Sequence, residues 1–207
     1  MSKIRVLFQG DSITDAGRNR LARHGLAGYT KMTAVMLNGG SPGKYECYNR
    51  GISGNRTKDL LARYKRHFVK MRPDDVTVMI GINDVWRKYD RNDPTSPEQY
   101  AANLTKLLTD IKKDTGAKII VMSPYLTSGV NGKWNVMRGD VDIFIETCKK
   151  VAAKYADKYI YTDGPMNEAN EKYPHEQVSR DGVHPAEKGQ EVLAGLLSQA
   201  IDSLFED

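Results

Sequence analysis

Ile4-Arg5-Val6-Leu7-Phe8-Gln9-Gly10-Asp11-Ser12-Ile13-Thr14-Asp15 is the stretch on which the predicted fold depends. Its residues 4–8 form an apolar run with the length and β-rich character of a buried strand. Gly10 then breaks the strand, and Ser12 follows two residues later. In an open α/β sheet such a serine lies at the carboxyl edge, where these folds bind their ligands. Taken alone, Gly10-Asp11-Ser12 is equally compatible with a simple polar turn.

The succession of short strand, polar loop and amphipathic helix recurs along the whole chain. Strands are predicted over residues 4–8, 45–49, 76–80, 118–122 and 159–162, and helices over residues 29–37, 57–69, 97–115, 141–155 and 186–205. Such alternation indicates a parallel sheet with right-handed crossovers and helices on both faces. We therefore predict one domain over residues 1–207, a three-layer α/β/α fold with five parallel strands in the flavodoxin-like order 2-1-3-4-5.

Local signals differ in strength between these elements. The helix over residues 97–115 has a serine cap, a proline at its first position and a closing glycine. In the helix over residues 29–37, Met32, Val35 and Met36 are expected on the apolar side. No element is predicted for residues 85–95, and residues 163–180 are expected to be irregular or briefly helical.

Residues 123–139 are predicted to form a long loop. Loops of this length in compact domains are usually functional or disordered. Tyr125 and Trp134 within it favour an interpretation as the wall of a binding site.

Composition limits the classes of partner. The 207 residues carry a net charge of +5, and residues 63–72 are the most basic run. On a helix, Arg63, Lys65, Arg66 and Lys70 would face solvent opposite an apolar stripe, so a solvated face is favoured and no nucleic-acid partner is predicted.

The cysteines and the hydropathy pattern indicate the cellular compartment in which the protein is expected. Cys47 and Cys148 fall in a predicted strand and a predicted helix, where they are expected to be small buried hydrophobes in a reducing compartment. The N-terminus does not resemble a secretion signal, and no apolar window approaches a membrane span. We expect a cytoplasmic protein without a membrane partner.

Four segments carry residues suited to acyl chemistry. A serine hydroxyl needs a base to take its proton, and the base needs an acceptor that orients its ring. His184 and Asp181, three residues apart in a tight loop, supply both, and Pro185 disfavours helical geometry at His184 and is expected to start the last helix. The predicted topology brings this loop to the same sheet edge as Ser12.

Acyl transfer also places negative charge on the carbonyl oxygen, so the site needs donors aimed at that oxygen. The backbone N–H groups of Ser12 and Gly54 and the side-chain amide of Asn83 are the candidates. Singly, Gly54, Asn83 and His184 are each explained more simply by turns and caps. Together, four such segments in one fold favour a catalytic site.

These segments resemble a known family. Gly10-Asp11-Ser12, Gly51-Ile52-Ser53-Gly54-Asn55, Gly81-Ile82-Asn83-Asp84 and Asp181-Gly182-Val183-His184-Pro185 look like the four signature blocks of the SGNH (GDSL) hydrolases, and they span the chain from end to end. The resemblance implies Ser12 as nucleophile, His184 as base, Asp181 as its partner, and Ser12, Gly54 and Asn83 as the oxyanion hole. It agrees with the assignment made from the residues.

Longer stretches are similar to the intracellular acetylxylan esterase branch of that family. The similarity covers residues 9–18, 49–55 and 79–87 and the pair Met137-Arg138, and implies removal of acetyl groups from xylo-oligosaccharides. The side chains then proposed to contact substrate are Asp11, Trp86, Arg87, Trp134 and Arg138. Arg56-Thr57-Lys58 is more basic than the family pattern leads one to expect.

The function favoured by these observations is a serine esterase acting on acetylated carbohydrate through a covalent acyl-enzyme. One alternative is a short-chain acylhydrolase acting on lipid or thioester substrates, and another is a non-catalytic carbohydrate-binding protein. No cofactor is expected, because residues 10–17 lack dinucleotide-binding and P-loop patterns. No metal is expected, because His24, His67 and His175 lack ligand spacing. The assembly state stays open, with a homo-oligomer as one alternative.

Overall fold

The computed structural model of the chain describes residues 2–128 and 132–206, and five parallel strands form its sheet. The strands are β1 (Ile4–Gly10), β2 (Tyr45–Asn49), β3 (Asp75–Met79), β4 (Lys118–Met122) and β5 (Lys158–Ile160). Their order is β2-β1-β3-β4-β5, and every neighbouring pair is parallel. This confirms the predicted fold and strand order.

Helices cover both faces of the sheet. They are α1 (Ser12–Asp15), α2 (Gly28–Gly40), α3 (Thr57–Ala62), α4 (Tyr64–His67), α5 (Ile82–Asp90), α6 (Pro97–Thr115), α7 (Lys133–Tyr155), α8 (Asp163–Lys172), α9 (His175–Val178) and α10 (Glu187–Asp202), with a 3₁₀ turn at Val69–Met71. Helix α10 packs on α2, α8 and α9, whereas α6 packs on α3 and α7. The two groups lie on opposite faces because right-handed crossovers from β1 run outward in both directions.

The central strand of the sheet is entirely buried. All five residues of β3 are buried, since a central parallel strand has helices above and below it. The apolar positions predicted for α6 are all fully buried: Tyr100, Leu104, Leu107, Leu108 and Ile111. Ser96 caps this helix by accepting from the Gln99 N–H, and Gly116 ends it in the left-handed conformation, as predicted.

The prediction for the buried face of α2 was right for Met32, which is partly buried against the core, and wrong for the other two residues. Val35 is 65% exposed and Met36 44% exposed. The helix instead buries Tyr29, Thr33 and Leu37, which recur every four residues. Burial of the threonine is possible because its hydroxyl donates to the Tyr29 carbonyl.

The basic run was predicted correctly only in part. Lys65, Arg66 and Lys70 are exposed, but Arg63 points inward. The single helix predicted over residues 57–69 is broken at Arg63, which separates α3 from α4 with φ −102° and ψ 11°. This break turns the guanidinium toward the carboxyl ends of β1 and β2.

Several boundaries also differ from the predictions. Helix α5 occupies most of the stretch left unassigned, and α8 and α9 occupy much of residues 163–180. Helix α7 begins at Lys133, so only residues 123–128 and Gly132 of the expected loop are described as non-helical, and residues 129–131 lie outside the described residues. Tyr125 is fully buried and cannot line a binding wall. Pro185 precedes the cap of α10 and is not in its first turn.

Candidate active site

Ser12 lies where β1 ends, at the start of the short helix α1. A Cβ on Gly10 would lie 2.3 Å from the Thr14 Oγ1 and 2.4 Å from the Met79 carbonyl oxygen, so only glycine fits there. Asp11 caps α1, its Oδ1 accepting from the Ile13 N–H at 2.9 Å. The nucleophile candidate is therefore held on a tight strand-to-helix turn.

His184 is in direct contact with this serine. The Ser12 Oγ lies 2.8 Å from the His184 Nε2, and the His184 Nδ1 lies 2.8 Å from the Asp181 Oδ2. A carboxylate only accepts hydrogen bonds, so Nδ1 carries the ring proton and donates to Asp181. Nε2 is then the acceptor for the Ser12 hydroxyl proton, which is the arrangement general-base catalysis needs.

The carboxylate of Asp181 is stabilised from several sides. Its Oδ1 accepts the backbone N–H groups of His184 at 2.8 Å and Val183 at 3.1 Å. Burial alone would raise the pKa of Asp181, but these hydrogen bonds and the one from the His184 ring hold it well below its usual range. The group stays ionised and can stabilise a positively charged imidazole.

Residues to which the sequence gave no such role hold the Asp181–His184 loop in place. The buried Tyr125 hydroxyl donates to the Val183 carbonyl at 2.6 Å. The Thr127 N–H donates to the Gly182 carbonyl at 2.9 Å, and the Ser179 hydroxyl donates to the His184 carbonyl at 2.9 Å. The contacts of Tyr125 and Thr127 connect the loop to the segment after β4, so no local sequence pattern reveals them.

The two remaining oxyanion candidates meet beside the serine turn. Asn83 is buried in the first turn of α5, after β3, and its Nδ2 donates to the Asn55 carbonyl at 3.1 Å. Gly54 precedes Asn55 and has φ +82°, which favours glycine. The Ile52 N–H donates to the Gly10 carbonyl at 3.1 Å and joins this loop to the end of β1.

Buried acids fix the loop that carries Gly54. Asp15 accepts from the Ser53 N–H at 3.0 Å and the Ser53 hydroxyl at 2.9 Å. Burial opposes its ionisation, yet Arg20 and the Ser53 bonds lower the pKa of Asp15. Asp84 accepts from the Thr57 hydroxyl at 2.7 Å and so ties α5 to α3. Burial raises the pKa of Asp84 to about 6.

Arg63 is a further residue that the sequence analysis misplaced. Its guanidinium donates to the Gln9 Oε1 at 2.7 Å, the Gly10 carbonyl at 3.2 Å, the Arg50 carbonyl at 3.0 Å and the Asn55 Oδ1 at 2.7 Å. One side chain thus joins the serine turn to the Gly54 loop. In the sequence, Arg63 stands next to the apolar face of a predicted helix. Nothing about that position indicates that its side chain joins two loops of the site.

The structure brings one of the proposed substrate-contacting residues next to His184. The ring centroids of Trp86 and His184 are 6.2 Å apart. Asp11, by contrast, is 1% exposed and faces inward. Arg87 donates to Asn83 and Asp90. Contact of these three with substrate stays a prediction.

Trp134 and Arg138 lie together near the start of α7, one helical turn apart. The Arg138 guanidinium lies 4.9 Å from the centroid of the Trp134 ring. It also donates to the Asp163 Oδ1 at 2.9 Å and the Leu126 carbonyl at 3.1 Å. These bonds give Arg138 a structural role, and substrate contact by either residue stays a prediction.

Residues 2–128 and 132–206 contain neither a candidate metal cluster nor a candidate membrane helix. No group of three or more His, Cys, Asp or Glu side chains within those ranges is placed to hold a metal ion. No helix found there is both long enough and apolar enough to cross a membrane. Cys47 and Cys148 are buried free thiols, and burial raises the pKa of each to about 12.

Comparison with known proteins gives consistent results. The family model of the GDSL-like Lipase/Acylhydrolase family matches residues 8–192. The chain is 32% identical to the acetylxylan esterase of Geobacillus stearothermophilus over 200 residues, 92% of this chain and 90% of that protein. It is 25% identical to the arylesterase of Vibrio mimicus over 153 residues, 74% of this chain and 68% of that protein.

Solved structures extend the comparison to the fold. The structure of Axe2, an acetylxylan esterase from Geobacillus stearothermophilus, superposes with a TM-score of 0.85 at 32% identity, covering 97% of this chain and 94% of that chain. LAE5, an alpha/beta hydrolase enzyme from the metagenome of Lake Arreo, superposes with a TM-score of 0.86 at 27% identity, covering 99% of this chain and 98% of that chain.

Proposed function

The chain belongs to the GDSL-like lipase/acylhydrolase family of carboxylic ester hydrolases, and we propose that Ser12, His184 and Asp181 form its catalytic triad. The observation that carries the proposal is the continuous chain of hydrogen bonds from the Ser12 Oγ through the imidazole to the Asp181 carboxylate, with both distances 2.8 Å. Because the ring proton of His184 is on Nδ1, its Nε2 can accept the serine proton.

The first half-reaction forms an acyl-enzyme. As the Ser12 Oγ attacks the carbonyl carbon of the ester, its proton moves to the His184 Nε2, and negative charge builds on the carbonyl oxygen. The Ser12 and Gly54 N–H groups and the Asn83 amide are proposed to stabilise that charge. His184 then gives its proton to the leaving alcohol oxygen as the ester bond breaks, and the acyl group stays on Ser12.

The second half-reaction restores the enzyme. His184 takes a proton from water as the water oxygen attacks the acyl carbon, giving a second tetrahedral intermediate. When this intermediate collapses, the proton returns from Nε2 to the Ser12 Oγ and the carboxylic acid leaves. Asp181 stays ionised throughout and stabilises the imidazolium formed in each half.

We propose an O-acetylated carbohydrate of the xylo-oligosaccharide type as the substrate. Similarity to the Geobacillus acetylxylan esterase over nearly the whole chain supports this choice over a lipid or thioester substrate. Trp86, partly buried and next to His184, offers an apolar ring face of the kind that packs against sugars.

The catalytic role of Ser12 is tested by hydrolysis of p-nitrophenyl acetate. Ser12→Ala is expected to lower kcat at least about 1,000-fold, because only binding and oxyanion stabilisation would remain. Ser41→Ala, at the end of α2, is the matched control and should keep the wild-type rate. Equal rates for Ser12→Ala and wild type would refute the triad.

The substrate class is tested separately. Mass spectrometry of acetylated xylo-oligosaccharides incubated with enzyme should show loss of acetyl groups, and Ser12→Ala should leave them intact. A ladder of p-nitrophenyl esters should give the highest kcat/KM at acetyl. A preference for acyl chains of about eight carbons or more, which bury substantial apolar surface, would favour the lipid alternative.

We further propose the cytoplasm as the compartment. Two buried, unpaired cysteines suit a reducing environment, in which no disulfide is needed for stability. Fractionation of the native host cells followed by immunodetection checks this, and recovery of the protein with secreted material would contradict it.

A further inference from the structure

The side-chain amide of Asn83 is held from both of its ends. Its Oδ1 accepts from the Arg87 Nη2 at 2.8 Å, and its Nδ2 donates to the Asn55 carbonyl at 3.1 Å. Asn83 and Arg87 are four residues apart on α5, so their side chains lie on the same face of that helix. The amide can therefore be oriented by a residue of its own helix.

The chemistry of arginine makes this contact directional. A guanidinium has only donors, so the amide atom that faces it must be the oxygen. The NH2 group then points the other way, and the Asn55 carbonyl takes one of its two hydrogens. The second hydrogen is the one proposed to bond the substrate oxygen. A rotated amide would present its own oxygen to the growing negative charge and oppose the reaction.

Arg87 is itself fixed. Its other terminal nitrogen donates to Asp90, and its guanidinium lies 5.8 Å from the centroid of the Trp86 ring. The side chain is 14% exposed. The Arg87 guanidinium is thus already hydrogen-bonded to protein groups. A sugar hydroxyl would compete poorly with those groups for its N–H donors.

We propose that Arg87 is a positioning residue which sets the orientation of the Asn83 amide, rather than a ligand for substrate. The proposal rests on the proposed function in one respect, the assignment of Asn83 as an oxyanion donor. Arg87 then acts on the reaction only through Asn83, and its contribution should vanish when the amide is absent.

Kinetics of Arg87→Met test this dependence. Methionine keeps an aliphatic stem beneath Trp86 but has no donors. With p-nitrophenyl acetate we expect kcat to fall about tenfold while KM changes less than twofold, because transition-state contacts affect kcat. Asn83→Ala is expected to lose about 100-fold or more, and Arg87→Met added to it should cause no further loss.

Three other kinetic results would contradict the positioning role of Arg87. A raised KM at unchanged kcat would make Arg87 a substrate ligand, and losses that multiply in the double variant would make it independent of Asn83. Wild-type kinetics would remove any role. Lys88→Ala, the exposed neighbour paired with Asp140, is the control and should behave as wild type.

A readout without activity separates this proposal from the triad. The side-chain NH2 signals of Asn83 in a ¹⁵N–¹H spectrum, identified by their absence in Asn83→Ala, should shift in Arg87→Met. Unchanged signals would overturn the proposal, whatever Ser12→Ala does to the rate. Circular dichroism monitors folding, and if Arg87→Met fails to fold, Arg87→Leu, which also lacks donors, takes its place in both measurements.

Discussion

Aspartates around the site differ in charge because their surroundings differ. Burial raises the pKa of Asp11 to about 7 and that of Asp84 to about 6. Burial also acts on Asp181, but hydrogen bonds from His184 outweigh it and keep the pKa of Asp181 low. Asp181 is thus the carboxylate that remains ionised beside the imidazole, and Asp11 carries only part of a charge near neutral pH.

Asp75 shows the same effect far from the site, at the start of β3. Its side chain is fully buried, its Oδ2 accepts from the Thr77 hydroxyl at 3.3 Å, and its Oδ1 has no hydrogen-bond partner among the described residues. Burial raises the pKa of Asp75 from 3.8 to about 8. The folded protein therefore keeps a proton that the unfolded chain releases near pH 4.

This proton gives the stability of the protein a definite pH dependence. Between about pH 4 and pH 8 the folded state binds more protons at Asp75 than the unfolded state, so its contribution to stability falls as pH rises and levels off above pH 8. The fall is on the order of a few kcal/mol. Asp75→Asn should remove it.

Urea unfolding at pH 5 and pH 8 measures the change. The free energy of unfolding of Asp75→Asn, measured relative to that of wild type, is expected to be higher at pH 8 than at pH 5. The difference should be on the order of a few kcal/mol. Asp74→Asn, one residue away and exposed, keeps Asp75 and should follow the wild-type slope. The idea fails if Asp75→Asn and wild type lose stability in parallel.

At the scale of an element, the loop from Arg50 to Asn55 depends on one close backbone approach. A Cβ on Gly51 would lie 2.5 Å from the Asp15 nitrogen and 2.8 Å from the Thr14 carbonyl carbon. Both are backbone atoms, so neither can move aside cheaply. The loop can pack against the serine turn only with glycine at this position.

Gly51→Ala is expected to destabilise the fold by about 1–3 kcal/mol, the usual cost of forcing a methylene into a packed site. It should also lower kcat, because the displaced loop carries Gly54. Gly39→Ala, in α2 with nothing within 4 Å of the added methyl, is the control and should be neutral or slightly stabilising. Urea unfolding and esterase assays of both variants decide, and equal stabilities would contradict the packing argument.

Local signals explain the outcome for α6 and α7, whereas α5 was missed although its sequence carries such a signal. Helix α6 has its cap, proline and closing glycine in the sequence. Helix α7 starts after Gly132 without any side-chain cap, so nothing marks its beginning. Helix α5 grows directly out of the Gly81 motif, and its apolar positions Ile82, Val85, Trp86 and Tyr89 follow helical spacing that gives a usable signal.

At the scale of the whole molecule, Arg63 connects segments that are distant in sequence. Arg63→Met would leave the Gln9, Gly10, Arg50 and Asn55 oxygens without this donor, although the Gly10 carbonyl keeps the Ile52 N–H. A buried polar group left without any partner costs about 1–3 kcal/mol. Burial lowers the pKa of Arg63 to about 10, so it stays charged at neutral pH.

We expect Arg63→Met to lower the free energy of unfolding by on the order of 3 kcal/mol and to reduce kcat, since both the serine turn and the Gly54 loop lose an anchor. Arg66→Met, exposed on α4 just after Arg63, is the matched control. Urea unfolding with parallel kinetics tests it, and wild-type stability in Arg63→Met would rule out the anchoring role.

The sequence indicated the candidate reacting groups of the site but not the residues that support them. Ser12, Asn83 and His184 stand in short motifs whose spacing carries chemical meaning, so they could be proposed from the sequence alone, and their catalytic roles stay a prediction. Tyr125 and Arg63 hold these groups through contacts that exist only once separate segments have packed together. Single residues in such supporting positions look like ordinary core or surface residues, because their function depends on tertiary structure.

The 172 positions that separate Ser12 from its hydrogen-bonded partner His184 also order events in time. A ribosome makes Ser12, the proposed nucleophile, long before His184, its proposed base, and the segment that holds Tyr125 is made between the two. With the proposed triad, the serine is an ordinary alcohol until His184 has been made, so a nascent chain that stops before residue 184 should not hydrolyse esters. The appearance of esterase activity would therefore report that the segments carrying both residues have folded together.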